Sequence, residues 1–267
     1  MLYLIMGRTA AGKDRFAQIL EANGLKGVKS YTTRPKRNDE DNHIFVSQEE
    51  ADSIQDRAAY TKIGDYEYFA TKDQIENADF YIIDPKGMRE LTAKMPTTAF
   101  SIIYIIATKE DRKRHFLTRQ PSVDVEEQFN KREESENDQF EEFESLVEQI
   151  HHNSNNDFKL FHFEDNVYSL HTFQNQYEIG EDDFESEALA VVNAVKANKR
   201  LHTIVDDAIN LGIIKANEQN EIAVYTKDDP FNPHYVSRDR FVAIMTQDTS
   251  GLGTFMREYL GRTSLLE

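Results

Sequence analysis

Gly7-Arg8-Thr9-Ala10-Ala11-Gly12-Lys13 has the spacing G-x-x-x-x-G-K. Glycines at both ends let backbone N–H groups turn inward around an anion. A helix that follows adds the positive end of its dipole, and the lysine amine bridges β- and γ-phosphates. The chemistry such a loop supports is binding of a nucleoside triphosphate, with Gly7 to Gly12, Lys13, Asp14 and Arg15 forming the cradle. Ser or Thr ordinarily follows the lysine and holds Mg²⁺ through its hydroxyl; here the residue is Asp14. Its carboxylate can ligate Mg²⁺ but adds negative charge beside the β-phosphate, so metal binding is expected to run partly through water. Two basic clusters, Arg34–Lys36–Arg37 and Arg112–Lys113–Arg114–Arg119, could focus positive charge on phosphates.

A phosphate loop works only between a strand and a helix, and the flanking residues predict both. Leu2 to Met6 is a short apolar run, as in a strand buried on both faces of a parallel sheet. After the loop, Phe16, Ile19 and Leu20 fall on one helical face, and Gly24 ends it. Phe80 to Asp84 and Phe100 to Ala107 are further apolar runs, the latter followed by the charged helix KEDRKRHFLTR. Strands alternating with helices predict an α/β fold with a parallel central sheet.

Asp124 to Glu148 carries eleven acidic residues against two basic ones, with Phe129, Phe140, Phe143, Leu146 and Val147 at helical intervals. The pattern predicts an amphipathic helix, or a helix pair, with a solvated acidic face. A polar break is expected at His151–Asp157, then a final strand over Phe158–Phe163 and a closing helix from Glu185. Beyond about residue 200 the sequence suggests an α+β extension: a helix from Leu201 to near Gly212, a hairpin within Glu221–Ser237, a strand or buried helix at RFVAIMTQ, and a helix at LGTFMREYLG. His151, His152, Asp157 and His162 could suggest a metal site, but adjacent histidines point apart, and the segment reads as an ordinary polar loop.

Bulk composition narrows the setting. The 267 residues suit one sizeable domain with an appendage, and a charged content of 30% with 39% hydrophobic residues suits a soluble globular protein. No cysteine is present, so disulfides and thiolate metal sites are excluded and a reducing cytoplasm is expected. No membrane span or signal peptide is expected. A net charge of −17 argues against nucleic acid as a partner.

Ser30-Tyr31-Thr32-Thr33-Arg34-Pro35-Lys36-Arg37, then IFVSQEE from Ile44, YEYFATK (Tyr66 to Lys72), IIDPKG (Ile82 to Gly87), ATKEDRKRHFLTR and FNKRE (Phe129 to Glu133) follow the loop in order. With it, they give the chain a resemblance to the guanylate kinase family of P-loop nucleoside monophosphate kinases, collinear over about residues 1–200. The resemblance implies a kinase domain with an acceptor-binding insert at about 30–78 and a helical lid at about 117–150, followed by an accessory region, 201–267, that could pack on the kinase or mediate a homodimer or other protein contact. It implies ATP and Mg²⁺ as cofactors and a nucleoside monophosphate as acceptor. Arg34 and Arg37 would clamp the acceptor phosphate, with His43 and Tyr68 nearby, and Ser30 and Thr71 would offer hydroxyls to the base. Lys13, Arg119 and Arg132 would neutralise the transferring phosphoryl group; Asp14 and Asp84 would organise the metal, Asp84 alternatively the acceptor.

Departures from the family pattern concern the acceptor. His43 replaces a tyrosine, Phe69 replaces a second one, Tyr60 or Thr61 falls where a glutamate reads guanine, and Ile82 takes the place of an aspartate. The acceptor is therefore open among GMP, dGMP and other (deoxy)nucleoside monophosphates. The Gly-Lys-Asp ending and DNHI (Asp41 to Ile44) also resemble a ribose 1,5-bisphosphate phosphokinase branch, and a Gly-Lys-Asp loop occurs in viral deoxynucleoside monophosphate kinases. A non-catalytic, protein-binding version of the domain is the other alternative; such versions lose the loop lysine, which is present here.

Overall fold

The computed structural model describes residues 1–36, 41–96, 98, 100–119, 124–153, 159–163, 166–175, 181–210, 214–219, 221–224, 234–236, 238 and 241–242; side chains at 119, 149–153, 159–163, 166–169, 181–182, 204, 224 and 234 are not described. The chain divides into two compact units, one holding Leu2–Pro96 and Phe100–Ala190, the other Met1, Thr97–Ala99 and Val191–Glu267.

The larger unit is an α/β fold around a mostly parallel central sheet. Its main sheet is built from β1 (Leu2–Met6), β6 (Phe80–Ile82), β7 (Phe100–Ile106), β8 (Lys159–Phe163) and β9 (Asn166–Gln174) in the order β6-β1-β7-β9-β8. The first four strands are mutually parallel, while β8 closes the edge antiparallel to β9. All five residues of β1 are buried, as a strand covered on both faces requires. α1 (Lys13–Ala22) buries Phe16, Ala17 and Leu20. α4 (Pro85–Lys94) is started by Asp84, whose side chain accepts from Gly87 N, with Pro85 at the first helical position. The core joins Leu2, Leu4 and Met6 to Met88, Leu91, Ile102, Tyr104, Phe140 and Phe143.

A second sheet lies in the insert. β2 (Tyr31–Thr32), β3 (Ile44–Phe45), β4 (Arg57–Ile63) and β5 (Tyr66–Thr71) run in the order β3-β2-β5-β4, with α2 (Gln48–Ser53) and α3 (Lys72–Glu76) at its ends. α5 (Lys109–Arg119) and α6 (Val125–Asn153) follow β7.

Several expectations change. The acidic segment is one helix, α6, the first of the two forms expected, and it continues through His151 to Asn153, where the sequence predicts a polar break. β8 is not the final strand: β9 follows it and is the strand that pairs with β7. Polar residues such as Ser169, His171 and Thr172 hide that strand from an apolar-run reading.

In the smaller unit the two expected helices form a single helix, α7 (Glu181–Asn210), which begins within the larger unit. β10 (Ile222–Val224) and β11 (His234–Val236) pair antiparallel, as the hairpin reading required. Leu201, Val205, Ile214, Ile222, Phe241 and Val242 form this unit's core. The segment LGTFMREYLG and Asp157 lie outside the described residues, as do the side chains of His151, His152 and His162. Among the described residues no helix is long and apolar enough to cross a membrane.

Candidate functional site

The phosphate loop owes its path to close approaches that only glycine permits. A Cβ on Gly7 would lie 2.7 Å from the Ile105 carbonyl oxygen. Gly12 has φ +104, and a Cβ there would meet Asn175 Nδ2 at 2.5 Å. Asn175 donates from Nδ2 to the Ala11 carbonyl (2.8 Å) and His115 Nδ1–H donates to that of Ala10 (3.2 Å). The Lys13 ammonium donates to Gly7 O (2.7 Å) and Arg8 O (3.0 Å), curling back over its own loop. No side chain caps α1, and the positive end of a helix at a glycine loop suits a phosphate. Asp14 lies in that first turn.

One cavity of about 440 Å³ reaches from this loop to the insert. It brings together Gly7, Thr9, Ala10, Lys13, Asp14, Ser30, Arg34, His43, Tyr68, Asp84 and Arg132 of the residues the sequence singled out. Others do not line it. Arg8 turns away to Glu144 (Nε to Oε1 2.8 Å, Nη2 to Oε2 2.7 Å) and lies over Phe140. Ala11 and Gly12 are not on its wall, and Arg15 sits over the Phe184 ring, 4.8 Å from its centroid. Thr71 is not on its wall either; its hydroxyl accepts from Gln74 N (3.4 Å) and caps α3 in a reciprocal pair. Arg37 and the side chain of Arg119 lie outside what is described.

The end of the cavity away from the loop is built from the second sheet and the strand ends. Ser30 Oγ and His43 Nδ1 are 2.9 Å apart, and burial pushes the nearby Tyr81 phenol well above its ordinary range. His43 meets Tyr68 edge-on, with centroids 5.7 Å apart. Arg34 is only 7% exposed; its Nη1 donates to Pro35 O (2.9 Å), and its guanidinium lies over Phe45. Phe69 is buried and stacked on Tyr31 beneath Arg57, so a hydroxyl at this position would point into packed rings rather than at a ligand.

Asp84 accepts from Gly87 N (2.6 Å), and the Thr61 side chain shares the cavity wall with it. Burial pushes its carboxyl above the ordinary range, and the nearby Glu136 carboxylate pushes the same way. The raised value destabilises the fold as pH rises through the carboxylate range, because the ionised form is the one burial disfavours. Asp84→Asn keeps a good helix cap and removes that charge. At neutral pH its melting temperature is expected to equal or exceed wild type, while phosphoryl transfer falls; calorimetry with a turnover assay checks both.

α6 is the part the sequence concealed. Its acidic residues do not all form a solvated face: Glu133 is buried, and Glu136 and Glu144 turn inward. Arg112 of α5 forms a two-pronged ion pair with Glu133, with side chains only 5% and 8% exposed. Arg112 also reaches Thr9 O (3.4 Å), and Glu136 accepts from Thr9 N (2.9 Å) and from its hydroxyl. Glu144 accepts from the Tyr104 hydroxyl as well as from Arg8. Arg132 lies over the Phe116 ring, 5.3 Å from the centroid. Glu133, Glu136, Glu144 and Asn175 were missed because their role comes from partners distant in sequence.

No protein-family model matches the chain, and no curated protein matches it. Among solved structures, a guanylate kinase from Anaplasma phagocytophilum is similar, with 17% identity, a TM-score of 0.46, and coverage of 74% of this chain and 85% of that one.

Proposed function

We propose that this protein transfers the terminal phosphoryl group of ATP to a nucleoside monophosphate, giving ADP and the nucleoside diphosphate. The observation that carries this reading is a single cavity lined at one end by Lys13 and the phosphate loop and at the other by Ser30, Arg34, His43 and Tyr68. Transfer between two phosphates needs positioning and charge neutralisation and little else. Lys13 and the α1 amides hold the donor phosphates. Arg34 holds the acceptor phosphate, its guanidinium offering the fork that suits phosphate. Arg132, on the cavity wall, neutralises charge on the group in flight, with Arg37 and Arg119 as further candidates from the sequence.

Asp14 and Asp84 both line the cavity and offer hard oxygen donors. That set fits Mg²⁺, which is held by one or two carboxylates together with substrate phosphates and water. When bound, Mg²⁺ neutralises the phosphate oxygens. The lack of cysteine supports a reducing, cytoplasmic setting.

The experiment is ADP release, in the full chain with Mg-ATP, over a panel of ribo- and deoxynucleoside monophosphates and ribose 1,5-bisphosphate. Turnover with at least one nucleoside monophosphate is expected. Turnover with the sugar bisphosphate alone would move the acceptor class, and none with any acceptor would leave the binding-module alternative. Arg34→Lys keeps the charge but loses the fork, so acceptor KM should rise by roughly tenfold or more while ATP KM stays near wild type.

A further inference from the structure

α6 presents Glu136, Gln139 and Phe140 to the cavity from one face, as the helical repeat dictates. Around them most polar groups have partners. Glu136 is held by Thr9, Asp84 by Gly87, and Ser30 by His43. Gln139 is the exception. Its Oε1 is buried and accepts no hydrogen bond, and among the described residues of the larger unit it is the one such side-chain atom. A buried acceptor left unmade is costly, and native proteins rarely keep one unless a ligand or water completes it.

The location says what that ligand is. Arg89 of α4 pairs with Glu142 of α6 (2.5 Å), which sets α6 alongside the helix that Asp84 begins. Gly87 of α4 and Gln139 of α6 share the cavity wall, with Tyr60 and Tyr68 also lining it. Aromatic rings suit a flat heterocycle, and an amide offers a donor beside an acceptor, which matches the edge of a nucleobase.

We propose that Gln139 is a specificity-determining residue that reads the base of the acceptor nucleotide, its Oε1 accepting a ring N–H or exocyclic amino hydrogen. This rests on the kinase reading above and assigns the base contact that the sequence leaves open. A neutral amide takes an edge where donor and acceptor adjoin. A carboxylate at the same place accepts only, and so favours the paired N1–H and 2-amino donors of guanine.

The test measures kcat/KM for a panel of nucleoside monophosphates in the full-length wild type, Gln139→Leu and Gln139→Glu. Gln139→Leu keeps the volume and removes the amide. It should lower kcat/KM for the preferred acceptor by roughly 10- to 100-fold, mostly through KM, and compress the spread among bases, with ATP KM unchanged. Gln139→Glu should shift preference toward guanine, a gain that damage to the fold cannot mimic. Selectivity unchanged in both variants would overturn the assignment of Gln139 while leaving the kinase reading intact. Wild-type turnover with sugar phosphate alone would do the same, and no turnover with any acceptor would overturn both.

Discussion

Lys13→Ala is expected to cut phosphoryl transfer by about 10²- to 10³-fold, the scale on which losing one preorganised cationic or hydrogen-bonding group at a developing negative charge is felt. The ammonium already lies within the loop, donating to Gly7 O and Arg8 O, and a triphosphate would draw it from those carbonyls to β- and γ-oxygens. Because the side chain packs into no core, the fold should persist. Circular dichroism and thermal unfolding near wild type, beside lost turnover and weakened ATP binding, are the expected set. Lys13→Arg should recover only part of the rate, since a planar fork cannot take the place of a compact ammonium. Near-normal turnover in Lys13→Ala would remove the loop from the reaction.

Glu133→Ala should be the most destabilising single change in the larger unit, at about 3–5 kcal/mol, because it strands the buried Arg112 guanidinium without its counter-charge. Equilibrium denaturation measures this directly. The ion pair also carries a pH signature. Burial tends to raise the Glu133 carboxyl, but the hydrogen bonds and charge of Arg112 outweigh it and hold the group below the ordinary range. A depressed folded-state value stabilises the protein above the unfolded pKa of about 4.3 and loses that contribution as pH falls through the lower folded value. Wild-type stability should therefore drop on acidification below about pH 4.3, and Glu133→Gln should flatten that limb. Since Arg112 also reaches Thr9 O, the variant should loosen the phosphate loop as well, seen as a higher ATP KM.

Much of the donor side was legible because its signals are local. A five-residue apolar strand, two glycines and a lysine at fixed spacing, and a helix with Phe16 and Leu20 on one face need no distant partner to be read. That Ser30, Arg34 and Asp84 share one cavity with the loop was legible from their order in the sequence, but the local detail was not. β2 and β3 are two residues each, too short to show a period, and Thr71 turned out to cap a helix. Helix α6 was least legible. Its inward-turned carboxylates are the same residue type as the solvated ones beside them; only Arg112, Thr9 and Arg8, at least 21 residues away in sequence, distinguish Glu133, Glu136 and Glu144. A helical pattern shows which residues share a face, but not that a face of mixed charge will be buried against a phosphate loop.

The most direct measurement is transfer of label from γ-³²P-ATP in the presence of Mg²⁺ and a mixture of nucleoside monophosphates, resolved by chromatography. The expected result is label in one or more nucleoside diphosphates, appearing about 10²- to 10³-fold more slowly when Lys13 is alanine. Label that stays in ATP, or appears only as inorganic phosphate whatever acceptor is present, would contradict the assignment of this cavity to phosphoryl transfer between nucleotides.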